Sequence, residues 1–227
     1  RMNPSIARIA QQSGIYLFLT LATIVFAFPF YWLLISAFKL PSDIFRMPPD
    51  FFPTHPAFSN FTQLNSSVNI GQAFFNSVIC SAGNVALCLF VSSLAGFAFA
   101  KYQGAPLHGK LFDIVMATMM IPGAVLLIPQ FLVMVHIHWV DTYWAIIIPG
   151  AVNAFGIYWM RQYIQAHVPD DLVNAARIDG CSEFGIYWRI VLPIVRPALA
   201  ALGIMQLIAS WNNLMWAFIV LRSPQMY

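Results

Sequence analysis

Charge is what this 227-residue chain has least of: 8% of its residues are Asp, Glu, Lys or Arg, against about a quarter in an ordinary soluble domain. That shortage leaves too little polar surface to enclose a soluble globule. With 60% hydrophobic residues, the class that fits is a membrane protein. There is no basic run, and the net charge of +3 is mild, so nucleic acid is excluded as a partner. Cysteine is scarce too: Cys80, Cys88 and Cys181 make no disulfide framework, and the first two read as small packing residues. The phosphate-binding pattern G-x-x-x-x-G-K-[ST] is missing, so ATP hydrolysis is not expected on this chain. His, Asp, Glu and Cys do not gather as a catalytic or metal centre requires, and no enzyme activity, catalytic residue, metal or cofactor is expected. His136-Ile137-His138, with only Asp141 near it, reads as an interfacial outer loop.

The missing charges leave gaps at 9–38, 51–100, 114–140, 142–160 and 197–221. A helix crossing the hydrocarbon core needs roughly 20 residues, and each gap can hold one. We expect an all-α polytopic membrane bundle with spans at 15–38, 74–100, 111–135, 142–164 and 198–221. The first apolar run is too long for a signal-peptide core and no small-residue cleavage site follows it. Arg161 must sit near the interface of the fourth span. Pro29, Pro122, Pro129 and Pro149 should kink the spans that hold them.

Alternating the sides places the tail 1–14 and the segments 101–110 and 165–197 on one face, with eight Lys and Arg counted over residues 1–14, 101–110 and 161–196. Residues 39–73, 136–141 and 222–227 lie on the other face, which holds Lys39, Arg46 and Arg222. Eight against three makes the first face, and the N-terminus, cytoplasmic. The outer loop carries five prolines in PSDIFRMPPDFFPTHPAFSNFTQLNSS, which argues for an ordered cap or a partner-facing surface rather than a helix. Asn60-Phe61-Thr62 and Asn65-Ser66-Ser67 match the glycosylation acceptor pattern, a common chance occurrence.

No charge sits mid-span, which removes the usual sign of a proton relay or ion site. Asp113 and Asp141 fall at span ends. The deep polar groups are neutral: Asn84, Asn153, Gln206, Ser210, Asn212 and Asn213. In ASWNNLMWAF, 209–218, Asn212 and Asn213 lie between Trp211 and Trp216, a pairing of amides and aromatic faces suited to sugar hydroxyls and rings. Interhelical hydrogen bonding is the commoner use of such residues. Asn153, Trp211, Asn212 and Asn213 are the candidate pathway residues. Ser92, Gly96 and Ala100 make one face of the second span small, as close helix packing requires.

NAARIDGCSEFGIYWRIVLP, 174–193, is the polar exception. Pro169-Asp170-Asp171 makes a helix start, with an Asp able to cap free N–H groups. DLVNAARI then forms a short helix offering Leu172, Ala175, Ala176 and Ile178 for packing. Gly180 is placed for a left-handed cap. Ser182 can cap a second helix, FGIYWRIVL, ended by Pro193 and Pro197. The product is a helix–turn–helix on the cytoplasmic surface, fit to rest on lipid or enter a partner's groove.

Ala175-Ala176, Gly180 after three intervening residues, and Ile190-x-Leu192-Pro193 after nine more resemble the "EAA" loop of ABC importer permeases. NFTQL, FFNS, MMIPGAVLLIPQF and SWNNLMWAFIVL extend the likeness over nearly the whole chain. They are similar to the carbohydrate-uptake, maltose-type branch and to its smaller permease. The resemblance implies the type I importer permease fold, with a permease core over 74–227 and a sixth span beyond Tyr227. It also implies a bacterial inner-membrane location and four kinds of partner: lipid bilayer, a second permease, two ATPase subunits holding ATP and Mg, and an external solute-binding protein. Coupling to the ATPase passes to Asn174, Ala175, Ala176, Asp179, Gly180, Ile190, Leu192 and Pro193. Asn174 departs from the family's Glu, which puts an ion pair from that position in doubt. The rival readings are an ion-coupled secondary transporter, which lacks a visible ion site or repeated broken helices, a membrane-embedded enzyme, and a scaffold subunit lining no pathway.

Overall fold

The computed structural model describes residues 4–53 and 55–223, and among these every regular element is helical. The chain divides into two units at Asn69 and Ile70.

The first unit is built on α1, Pro4–Ser36, followed by short helices α2, Pro41–Ile44, and α3, Ser59–Ser67. From Gln11 to Ser36 α1 is apolar enough to cross a membrane, and its residues from Gln11 to Phe30 are almost all exposed. The helix runs through Pro29 without a break. The turn leaving α1 returns the Ala37, Phe38 and Lys39 N–H groups to the Leu33, Ile35 and Ser36 carbonyls at 3.1 Å, and the proline-rich loop donates to the carbonyls of that turn. Asn60 Nδ2 bonds the carbonyls of Ala37 at 3.0 Å and Lys39 at 2.8 Å, and the Ala57 N–H bonds Phe38 at 2.8 Å. Asn60 of the acceptor triplet thus ties α3 to the turn that follows α1. As expected for the proline-rich loop, no continuous helix runs through its described residues.

In the second unit α4, Ile70–Lys101, is the axis against which α7, Tyr143–Ala151, α8, Ala154–His167, and α12, Arg196–Trp211, all pack. The small stripe explains how close they come. Ser92, Gly96 and Ala100 are buried, and a Cβ on Gly96 would lie 2.7 Å from Met160 Cβ and 2.9 Å from the Arg161 nitrogen.

The expected third, fourth and fifth spans are each interrupted. The third is α5, His108–Thr118, and α6, Gly123–His136, meeting at 102° with Pro122 at the N-cap of α6; α6 runs on through Pro129. The fourth bends by 44° between α7 and α8, at Val152 and Asn153. Proline at 149 has no N–H for the Ala145 carbonyl four residues back, and Trp216 Nε1 donates to that carbonyl instead at 2.8 Å. Trp216 lies in α13, Leu214–Val220, separated from α12 by Asn212 and Asn213. Arg161 is held by the Phe99 carbonyl at 3.3 Å and by the Phe112 ring at 4.1 Å.

Asp141, expected only to meet solvent at a span end, has a structural task. It takes the left-handed conformation at φ 64°, and its carboxylate accepts from Arg222 N at 2.9 Å, Ser223 N at 3.0 Å and the Ser223 hydroxyl. These bonds hold its ionised form and set its pKa below the usual carboxylate range, the Ser223 hydroxyl contributing most. It joins the turn before α7 to the chain leaving α13.

Candidate functional site

The polar block folds as a two-armed knuckle. Its first arm is α9, Asp170–Ile178. The turn is a Schellman motif: Cys181 N bonds Ala176 O at 3.0 Å, Gly180 N bonds Arg177 O at 3.0 Å, and Gly180 sits at φ 81°. Ser182 Oγ caps the second arm by accepting from Gly185 N at 3.2 Å. Both the glycine and serine roles match the sequence reading.

The second arm is not the uniform helix expected. It begins as α10, Glu183–Ile186, widens to a π-turn over Tyr187–Val191, and returns as α11, Leu192–Ile194. Pro193 lacks the N–H that would meet the Arg189 carbonyl. In the turn ahead of it Leu192 N reaches back five residues to Tyr187 O. Pro193 therefore lies within the arm rather than ending it, and the 80° bend into α12 comes at Val195.

Two more expectations are corrected. Pro169, not an Asp, is the N-cap of α9; Asp170 lies in the first turn and pairs with Lys101, whose ammonium also donates to the Val168 carbonyl. The acidic first turn suits the positive end of the helix without a capping bond. The buried residues of α9 are Val173 and Ala176, while Leu172 is 40% exposed, Ile178 86% exposed and Ala175 also outward. The packing period starts at Val173, one position later than the sequence reading placed it.

The knuckle consequently has two faces. The inner one, with Val173, Ala176, Ile186, Tyr187, Val191 and Val195, is continuous with the core formed by Phe97, Met160, Ile164 and Leu202 of α4, α8 and α12. Tyr187 is 1% exposed and its hydroxyl meets Ser93 Oγ of α4 at 2.7 Å. The outer face shows Asn174, Ala175, Asp179 and Gly180 with three uncovered apolar side chains, Ile178, Phe184 and Trp188. Phe184 and Trp188 stack with ring centres 6.2 Å apart. Of the other motif residues, Ile190 and Leu192 are half-buried against the core and Pro193 is exposed.

The arms are clamped by charge. Arg177 donates through Nε to Glu183 Oε1 at 2.7 Å and through a terminal nitrogen to Oε2 at 3.2 Å. Its remaining terminal nitrogen donates to Asn174 Oδ1 at 3.1 Å, and its guanidinium lies 5.4 Å from the Tyr102 ring centre. The Arg177 guanidinium first, then the Tyr102 hydroxyl, holds the Glu183 carboxyl below the usual glutamate range; Glu183 in turn raises Arg177. Asn174, where the motif expects Glu, is thus occupied within its own arm.

The pathway candidates separate into two groups. Asn153 belongs to a buried amide network: its side chain caps α8 through Gly156 N at 2.6 Å and donates to Gln206 Oε1 at 3.0 Å. Gln206 Nε2 donates to Asn84 Oδ1 at 2.6 Å and Gly150 O at 3.0 Å, and Asn84 donates to Ile147 O at 2.8 Å. Gln206 thereby satisfies a carbonyl in the last turn of α7, Asn84 adds a bond to the same helix, and Asn153 holds helices together. Trp211, Asn212 and Asn213 instead line a cleft of about 510 Å³ with Asn76, Ser77, Ser81 and Ser210. Trp211 meets Phe74 edge-on at 5.8 Å. Among the described residues no group of His, Cys, Asp and Glu could hold a metal ion.

Sequence reasoning did not find Tyr187, Phe184 or Trp188. All three stand in one aromatic-rich run, in which Tyr187 shares the buried face of Ile186 and Val191 while Phe184 and Trp188 lie on the exposed one.

Residues 89–227 match the family model described as binding-protein-dependent transport system inner membrane component. The chain is 36% identical over 216 residues to the arabinooligosaccharides transport system permease protein AraQ of Bacillus subtilis, covering 93% of this chain and 75% of that protein. It is 34% identical over 208 residues to the lactose transport system permease protein LacG of Rhizobium radiobacter, covering 92% and 75%. Its fold is similar to a chain in the crystal structure of a bacterial ABC transporter involved in the import of the acidic polysaccharide alginate. The TM-score is 0.81 at 22% identity, over 100% of this chain and 79% of that one.

Proposed function

The chain belongs to the family of binding-protein-dependent transport system inner membrane components, and from that premise we propose that it is one of two permeases in an ABC importer for a neutral oligosaccharide or similar sugar. The knuckle is the part an ATPase subunit grips. One observation carries this: its inner face is part of the bundle's own core, while its outer face presents Ala175, Ile178, Phe184 and Trp188 with nothing over them. A push on the outer face therefore reaches α4, α8 and α12 directly. Two ATPase subunits, binding ATP and Mg, would close on this knuckle and its counterpart in the second permease, and a solute-binding protein would deliver sugar from outside. ATP drives the change only by favouring one arrangement over the other.

The cleft lined by Trp211, Asn212 and Asn213 is this subunit's share of the pathway. Its polar groups are amides and hydroxyls, which bond sugar hydroxyls and offer no fixed charge to an acidic ligand. The excess of Lys and Arg on the knuckle side supports a cytoplasmic N-terminus.

Ala175→Trp tests the grip without disturbing the core, since Ala175 faces outward. Expressed with its partners, the variant should insert normally, lose the ATPase on co-purification and lose uptake. Retention of ATPase at the unmodified level, with uptake intact, would sink the proposal.

A further inference from the structure

The first unit contains an arrangement that neither the knuckle nor the cleft involves. Beyond α1 the chain runs out through α2 and turns back, so residues 50–52 lie beside the last turns of α1. Tyr31 donates its hydroxyl to the Phe51 carbonyl, Trp32 meets the Phe51 ring edge-on at 6.2 Å, and Tyr31 meets Phe52 at 6.3 Å. Lys39 closes the fold. Its ammonium donates to the Asp50 carbonyl and lies 4.2 Å from the centre of the Trp32 ring, and the residue is only 3% exposed.

Side chains near the end of α1 thereby satisfy two carbonyls of an irregular segment. Non-helical backbone needs such partners wherever water is scarce. The side chains that this segment turns outward are apolar: Phe45 is 87% exposed, Met47 86% and Phe52 74%. Meanwhile α1 from Gln11 to Ser36 has 26 residues, about 39 Å of helix against a hydrocarbon core of about 30 Å. That excess sets Tyr31 and Trp32 near one boundary of the core, the level at which such rings concentrate. Residues 50–52 share that level because they touch the same two rings.

We infer that residues 45–52 form a wedge seated in the lipid interface at the C-terminal end of α1, with Phe45, Met47 and Phe52 in the boundary between acyl chains and headgroups. The occupant of this surface is phospholipid, because the patch continues the uncovered apolar face of a membrane helix. Arg46 stands between the two most exposed apolar residues with its side chain 65% exposed and a terminal nitrogen 3.9 Å from the Asp50 carboxylate, a polar pair for the headgroup side of the wedge. The wedge fixes the depth of α1 in the bilayer.

The test uses the complete transporter in phosphatidylcholine nanodiscs, with Cys80→Ala, Cys88→Ala and Cys181→Ser as background. Nitroxide labels are placed singly through Phe45→Cys and Met47→Cys, with Asn65→Cys on the exposed face of α3 as reference. Collision with oxygen, which concentrates in lipid, should exceed collision with a nickel chelate at 45 and 47, and the order should reverse at 65. Adding Lys39→Gln, which weakens the tie to Asp50, should shift both wedge labels toward the chelate. Chelate-dominated collisions at 45 and 47 would mark a water-facing loop, and exclusion of both quenchers would mark a covering protein subunit. Either result overturns the inference.

Discussion

Valine in place of Gly180 isolates backbone conformation from packing. A Cβ built there meets no atom within 4 Å, so nothing clashes, but the residue sits at φ 81°. An L-residue pays about 1–2 kcal/mol for the left-handed region, and such strain reaches about 3 kcal/mol for unsuitable residues. The Schellman bonds cannot survive a change of φ, and the exposed Arg177–Glu183 pair offsets no more than about 1 kcal/mol. A net loss of roughly 1.4 kcal/mol lowers the fraction of correctly folded knuckle relative to opened forms tenfold. The assay is the complete transporter in proteoliposomes, with solute uptake and phosphate release followed together. Gly180→Val should import several-fold less solute per ATP hydrolysed while remaining in the membrane. Asparagine tolerates the left-handed region, so Gly180→Asn should stay near the parent ratio. An unchanged ratio for valine, or equal damage from asparagine, would refute the reasoning.

Gln206→Leu removes three hydrogen bonds that join α12 to the Asn84, Gly150 and Asn153 groups; at about 0.6 kcal/mol each, the loss should lower the thermal midpoint in detergent, whereas Trp211→Ala should spare the midpoint and raise the KM of uptake. Gly96→Ala forces a methyl against the α8 backbone and should cost about 1–3 kcal/mol. Gly203→Ala meets only the tips of the Leu89 and Val85 side chains, at 3.4 and 3.9 Å, and should be tolerated in the same denaturation assay. Glu183 has its folded pKa held below the ordinary glutamate value of about 4.3, so the clamp's stabilisation is complete above that value and disappears as pH falls through the lowered one. Hydrogen exchange at the knuckle should separate the parent from Glu183→Gln at neutral pH, and the two should converge in acid.

The helices and the turn were legible because they rest on local chemistry: a charge gap marks a span, and the Gly180 and Ser182 positions mark a turn. What escaped needed long-range partners. Nothing in the sequence around Pro149 says that Trp216, 67 residues later, supplies the hydrogen bond that the proline withholds. Asn153 and Asn212 look alike as deep amides, yet one caps a helix inside a buried network and the other lines an open cleft. The hydroxyl contact of Tyr187 with Ser93, 94 residues away on α4, is likewise nowhere written in FGIYWRIVL itself.

The amide network around Gln206 has a mechanical side. Sliding α4, α7 or α12 past one another by a single residue, about 1.5 Å, would take its donors out of range together. These helices must tilt as one rigid piece. Compliance is left to α5, none of whose residues is buried, and to α6, where only Met134 is. The elbow at Pro122, where these two helices meet at 102°, is the joint that the network leaves unbraced.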